Sequence, residues 1–120
     1  MNIFVYGTLR KGAGLSERMQ AFEYIGTFQS EPLYTMYDLG CPSIAKEGTT
    51  SITGEIYRIE NLVDIMPIHR METSCGYALL PIKLINFNEP VFAYHMKPDW
   101  DASIIEGGDW VKYREKKRGV

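Results

Sequence analysis

Glu72 is the residue best placed by type and context to move a proton. It follows Met71 at the end of an apolar helical segment. A carboxyl half buried there has a raised pKa, as a general base working near neutral pH needs. An exposed Glu at the same place does nothing, and on these residues alone that simpler reading prevails. His69, Glu72 and Cys75 recur every third residue and are all potential metal ligands. However, Thr73-Ser74 are poor helix formers and Gly76 follows, so Cys75 falls outside the helix. No second ligand pair has a telling spacing, and no metal site is expected. A second chemical feature is the glycine loop. Gly7 and Gly12 are spaced as in a phosphate loop, but Ala13-Gly14 stand where a Lys and a hydroxyl are required. A dinucleotide fingerprint also fails, for want of the third glycine. What remains is either a plain strand-ending turn or a strand end whose amides converge on an anion such as a carboxylate. The basic run Lys112, Arg114, Lys116, Lys117 and Arg118, with Tyr113 among them, reads as a solvated, partly frayed tail over residues 112–120.

The elements that must position these groups are mostly strands. Ile3–Tyr6 is a compact apolar run of β-formers ended by Gly7. Its closeness to Met1 places it within the sheet. Thr8–Leu15 is a loop, and Ser16 is a candidate N-cap for a short helix reaching Met19. Phe22–Phe28 and Leu33–Leu39 read as strands, Gly40–Pro42 as a break and Lys46–Thr50 as a turn. Ser51–Ile59 alternates, with Ile52, Gly54 and Ile56 on one face. Leu62–Met71 fits a helix with Leu62, Ile65, Met66 and His69 on one side, interrupted by Pro67. Tyr77–Phe87 and Pro90–Met96 form a hairpin around Asn86–Glu89. About seven strands and two short helices predict a compact α+β domain with a closed or nearly closed sheet.

Composition bounds the function. The 120 residues make one domain, and 45% apolar with 23% charged is a globular balance. Thirteen basic against fifteen acidic residues give a formal charge of -2, which argues against bulk nucleic-acid binding. No apolar run reaches membrane-spanning length, and the first residues carry no signal-like leader. Two cysteines, Cys41 and Cys75, are too few for a disulfide framework, so free thiols in a cytoplasmic setting are expected.

Several segments together resemble one family. Phe4-Val5-Tyr6-Gly7-Thr8-Leu9-Arg10-Lys11-Gly12 is similar to the opening of the gamma-glutamylcyclotransferase-like superfamily, in particular its AIG2-like and gamma-glutamylamine branch. Gly54-Glu55-Ile56-Tyr57 resembles its central strand, and Gly108-Asp109-Trp110 a motif near its C-terminus. Cys41-Pro42-Ser43 sits where many members carry Tyr-Pro and a small residue, and Glu72 sits where the family has its catalytic Glu. The matches run in order from residue 2 to about residue 113, with Glu72 fifteen residues after Tyr57 and His69 where the family often has Asp.

The resemblance implies a mixed β-barrel with short helices packed on it. It also implies a cyclisation in which the α-amine of a γ-glutamyl compound attacks its own γ-carbonyl, giving 5-oxoproline and a free amine. Glu72 would be the acid/base, Tyr6, Gly7, Thr8 and Leu9 the substrate cradle, and Tyr77 a residue orienting Glu72 or the substrate. No cofactor and no metal are expected, and the partner is a small γ-glutamyl molecule rather than nucleic acid or membrane. The alternative is the same fold kept as an inactive small-ligand or protein-binding module.

Overall fold

A computed structural model describes residues 1–119. In chain order it contains β1 (Asn2–Val5), a 3-10 turn (Ser16–Met19), β2 (Glu23–Gln29), β3 (Tyr34–Asp38), β4 (Pro42–Thr50) and β5 (Thr53–Arg58). Helix α1 (Leu62–Ser74), β6 (Ala78–Pro81), β7 (Val91–His95), β8 (Ser103–Ile104) and α2 (Trp110–Arg118) follow. The class is α+β, with a five-stranded mixed sheet ordered β2-β5-β1-β7-β6 and a three-stranded sheet ordered β4-β3-β8.

Strand β1 explains its own composition. It lies mid-sheet, antiparallel to β5 (Ile3 opposite Tyr57, Val5 opposite Glu55) and parallel to β7 (Ile3 opposite Phe92). Both of its faces are covered, so Ile3, Phe4 and Val5 are apolar in succession rather than alternating. Phe4 and Tyr6 enter one core with Tyr34, Met36, Ile44 and Ile56. Ile3 and Val5 enter a second core with Ile65 and Ile68 of α1 and with Tyr57 and Tyr94. The smaller sheet joins the larger where Met96 N–H donates to Ile44 O (3.1 Å). A lone bridge, Ser30 to Leu84, connects segments just beyond the two edge strands of the larger sheet. The strand ladders themselves do not close a barrel.

Helix α1 starts where the Asn61 side chain accepts the Val63 N–H (3.1 Å) and continues through Pro67. It extends three residues past the expected end at Met71. Thr73 and Ser74 return their hydroxyls to the His69 and Met71 carbonyls (both 2.8 Å) and so satisfy acceptors of the last turn. Its inward residues are Ile65 and Ile68, whereas Leu62 and Met66 are 56% and 36% exposed, contrary to the expected face. Cys75 lies just outside the helix, as its neighbours suggest.

Four further expectations are corrected. Ser16 begins the 3-10 turn instead of capping it, and Leu15 holds the cap position with no side-chain bond. Residues 46–50 complete β4 instead of forming a separate turn: Thr35 pairs with Ala45 and Tyr34 with Thr50, so the intervening residues are absorbed in an irregularity of the ladder. The expected hairpin exists, but its first strand is only Ala78–Pro81. The basic segment is not a frayed tail. Asp109 accepts the Lys112 N–H (3.1 Å), capping α2, and Trp110 anchors that helix in the core.

Candidate active site

The end of β1, the loop after it, the β3–β4 turn and the last turn of α1 enclose a cavity of about 250 Å³. Tyr6, Gly7, Thr8, Leu9, Glu72 and Tyr77 all line it, so residues more than sixty positions apart in sequence share one wall system. Cys41, Pro42, Met71, Cys75 and Tyr94 complete much of the remainder.

The loop wall is rigidly braced. Arg10 N–H donates to Gly7 O (3.0 Å), and Leu15 N–H donates to Thr8 O (2.8 Å). The Arg10 side chain is buried between two carboxylates, with Nε 3.4 Å from Glu55 Oε2 and Nη1 2.8 Å from Asp109 Oδ1. Glu55 Oε1 also accepts the Lys11 N–H (2.9 Å). Within this brace the N–H groups of Gly7, Thr8 and Leu9 have no acceptor among the described residues. Unbonded amides in a strand-ending turn are able to accept an anion as ligand. The backbone at Gly7 is not left-handed. Its need for glycine is spatial, because a Cβ there would lie 2.6 Å from Pro42 Cγ.

On the opposite wall Glu72 is the one carboxylate among the described residues. Its carboxylate has no hydrogen bond or ion pair among the described residues, and burial raises its pKa above the usual carboxylate value. Tyr77 lines the cavity and donates its hydroxyl to Pro42 O (2.7 Å), with Cys41 Sγ at 3.4 Å, which ties it to the β3–β4 turn. Burial pushes the Tyr77 phenol well above its ordinary value, and the Tyr94 phenol to about 12, so both stay protonated. Tyr6 donates to the Tyr94 carbonyl (2.5 Å). His69 does not line the cavity; its Nδ1 lies 2.9 Å from Tyr94 Oη. Both cysteines are free. No group of three or more His, Cys, Asp or Glu side chains suited to a metal ion occurs among the described residues.

Sequence reasoning did not single out Arg10, Glu55 and Asp109 as site residues. The signal was present, because each sits in a different recognised motif: the strand-to-loop opening, Gly54–Tyr57 and Gly108–Trp110. A Glu between Gly54 and Ile56 in a buried strand needs a partner, and Arg10 is that partner.

The sequence and the fold have relatives among known proteins. The family described as gamma-glutamyl cyclotransferase, AIG2-like, matches residues 3–112, and the chain belongs to it. Among its relatives is the gamma-glutamylcyclotransferase family protein YtfP of Escherichia coli strain K12, 30% identical over 111 residues, covering 92% of this chain and 96% of that protein. Among solved structures, protein PH0828 of Pyrococcus horikoshii superposes with a TM-score of 0.83 at 25% identity, covering 99% of this chain and 97% of that one. A mouse AIG2-like protein shares the fold, with a TM-score of 0.66 at 19% identity, covering 90% of this chain and 87% of that one. No helix among the described residues is long and apolar enough to cross a membrane.

Proposed function

We propose that the protein cyclises a γ-glutamyl amine or amino acid to 5-oxoproline and releases the free amine. The observation that carries this reading is the pairing of three unbonded loop amides with one unpartnered, desolvated carboxylate on a single small cavity. The amides of Gly7, Thr8 and Leu9 hold the α-carboxylate of the glutamyl unit. They thereby fold it so that its own amine faces the γ-carbonyl, and the reaction becomes a matter of orientation within one molecule. The amine is an ammonium near neutral pH and must lose a proton before it attacks. Glu72 accepts that proton and returns it to the departing amine. Its raised pKa makes it a stronger base for the first step, and the proton taken up there is the one returned in the second. Tyr94 and Tyr77, kept protonated, supply shape without competing for the proton.

Incubation with a panel of γ-glutamyl amines and γ-glutamyl amino acids should release 5-oxoproline and the free amine in equal amounts, read by NMR. A folded preparation that releases none from any member of the panel would remove the reading.

A further inference from the structure

Tyr94 is held at both ends. Its carbonyl accepts the Tyr6 hydroxyl, which ties β7 to the residue that follows β1. Its own hydroxyl lies 2.9 Å from Nδ1 of His69 on α1, with the two rings 5.8 Å apart. Between these anchors Tyr94 lines the cavity of Glu72, whereas His69 does not. His69 precedes Glu72 by three residues, so the two side chains are neighbours along one side of the helix. Burial first, and the Glu72 charge second, push the Tyr94 phenol up to about 12, so phenol and carboxylate face a common space.

A phenol has one hydrogen to donate, and lone pairs with which to accept. Among the described residues the Tyr94 hydroxyl has one partner, His69 Nδ1, and no contact of hydrogen-bond length with Glu72. A neutral imidazole with its hydrogen on Nε2 accepts at Nδ1. The phenol hydrogen then points at the helix, and the lone pairs of the oxygen are left to the cavity. A hydrogen on Nδ1 would instead leave the phenol hydrogen with no acceptor among the described residues, an unfavourable state for a buried side chain.

We infer that His69 is a positioning residue: by taking the Tyr94 hydrogen at Nδ1, it turns the phenol oxygen into an acceptor for the α-ammonium of the ligand. The inference rests on the reading of this cavity as a γ-glutamyl site. In that reading the amides of residues 7–9 hold the α-carboxylate, and the charged amine on the same carbon needs acceptors on the far wall. Glu72 offers one, and Tyr94, so oriented, a second. Two acceptors fix the direction of the amine as well as its place, which a single carboxylate does not.

The test uses γ-glutamyl-propylamine and N-propylglutaramic acid, the same molecule without its α-amine. Binding is measured by calorimetry on Glu72→Gln, in which the first compound is not consumed. The amine-bearing compound should bind roughly tenfold tighter than the other. Adding His69→Leu should bring that ratio near one, and so should adding Tyr94→Phe; both together should do no more than either alone. His69→Asn, whose Oδ1 is as many bonds from the backbone as Nδ1, should restore the ratio. Far-ultraviolet circular dichroism verifies the fold of each variant, and Tyr94→Phe with His69→Asn carries the test if the leucine variant unfolds. A ratio near one before either substitution, a ratio that survives them, an equal weakening of both compounds by His69→Leu, or no rescue by asparagine overturns the inference. If the ratio behaves as expected but the intact protein releases no 5-oxoproline, the positioning role stands and the cyclisation reading fails. If 5-oxoproline is released and the ratio ignores His69, cyclisation stands and the positioning role fails. If neither compound binds, both fail.

Discussion

Glu55 and Glu72 are the same residue type in the same neighbourhood, used in opposite ways. Glu55 lies on buried strand β5, 4% exposed, with its oxygens taken by Arg10 Nε and the Lys11 N–H. Glu72 lies on the last turn of α1, partly exposed, with neither oxygen bonded among the described residues. The more deeply buried carboxylate is the structural one. What marks Glu72 is desolvation without a partner, which leaves its proton affinity available to a ligand. Glu55 instead braces the loop that forms the other side of the same cavity.

Converting Glu72→Gln should produce the largest change. Turnover should fall by about 10²–10⁴-fold while 5-oxoproline still binds within a few-fold, as calorimetry can show. A raised pKa also fixes the sign of the pH effects. The acid limb of kcat/KM should lie above the ordinary carboxyl value of about 4.3, with activity lost as pH falls and Glu72 takes up its proton. Stability runs the other way. The folded state favours the protonated form, so the contribution of Glu72 is present at low pH and lost as pH rises through its folded pKa. Hence the Gln variant should gain thermal stability over the parent at pH 8 and not at pH 4. An equal gain at both would remove the contrast between the two glutamates.

Arg10→Met attacks the other member of the comparison. It leaves Glu55 and Asp109 facing each other's charge with no cation, and should cost about 3 kcal/mol in urea unfolding. 5-Oxoproline binding should weaken as well, because the loop amides lose their brace. Unchanged stability would mean that Glu55 is not held as described. The smallest effect is expected from Gly7→Ala. The new methyl falls 2.6 Å from Pro42 Cγ, so the proline ring must move, costing about 1 kcal/mol. Pro42 is part of the cavity wall, so affinity for 5-oxoproline should drop several-fold; an unchanged affinity would detach that wall from the ligand site.

Much of this was legible in the sequence, for reasons that differ by element. Strand β1 and helix α1 announced themselves because apolar burial dominates their residues. Thr53–Arg58 was visible within the alternating Ser51–Ile59 run. Helix α2 was missed because its surface is nearly all Lys and Arg, and its reasons for folding are single residues: the Asp109 cap and buried Trp110. Strand β4 was missed because its apolar part, Pro42–Ala45, is short and follows a Gly-Cys-Pro break, while Lys46–Thr49 face water and carry no periodic burial. The cavity residues came from motif resemblance, whereas the Arg10–Glu55–Asp109 brace is a long-range contact that no local spacing reveals. The bonding of Tyr77 to Pro42 belongs to the same class, since only tertiary structure decides where a phenol points.

The Arg10–Asp109 contact spans 99 positions, and that span has a meaning in time. A ribosome adding roughly 5–20 residues per second makes Asp109 about 5–20 s after Arg10. Strand β7, which flanks β1, also emerges late. Throughout that interval a nascent chain carries the glycine loop without the carboxylate that completes its brace. The braced loop is therefore among the last features to form during synthesis, and a translation product cut short before Asp109 would have most of the sheet yet an incomplete brace.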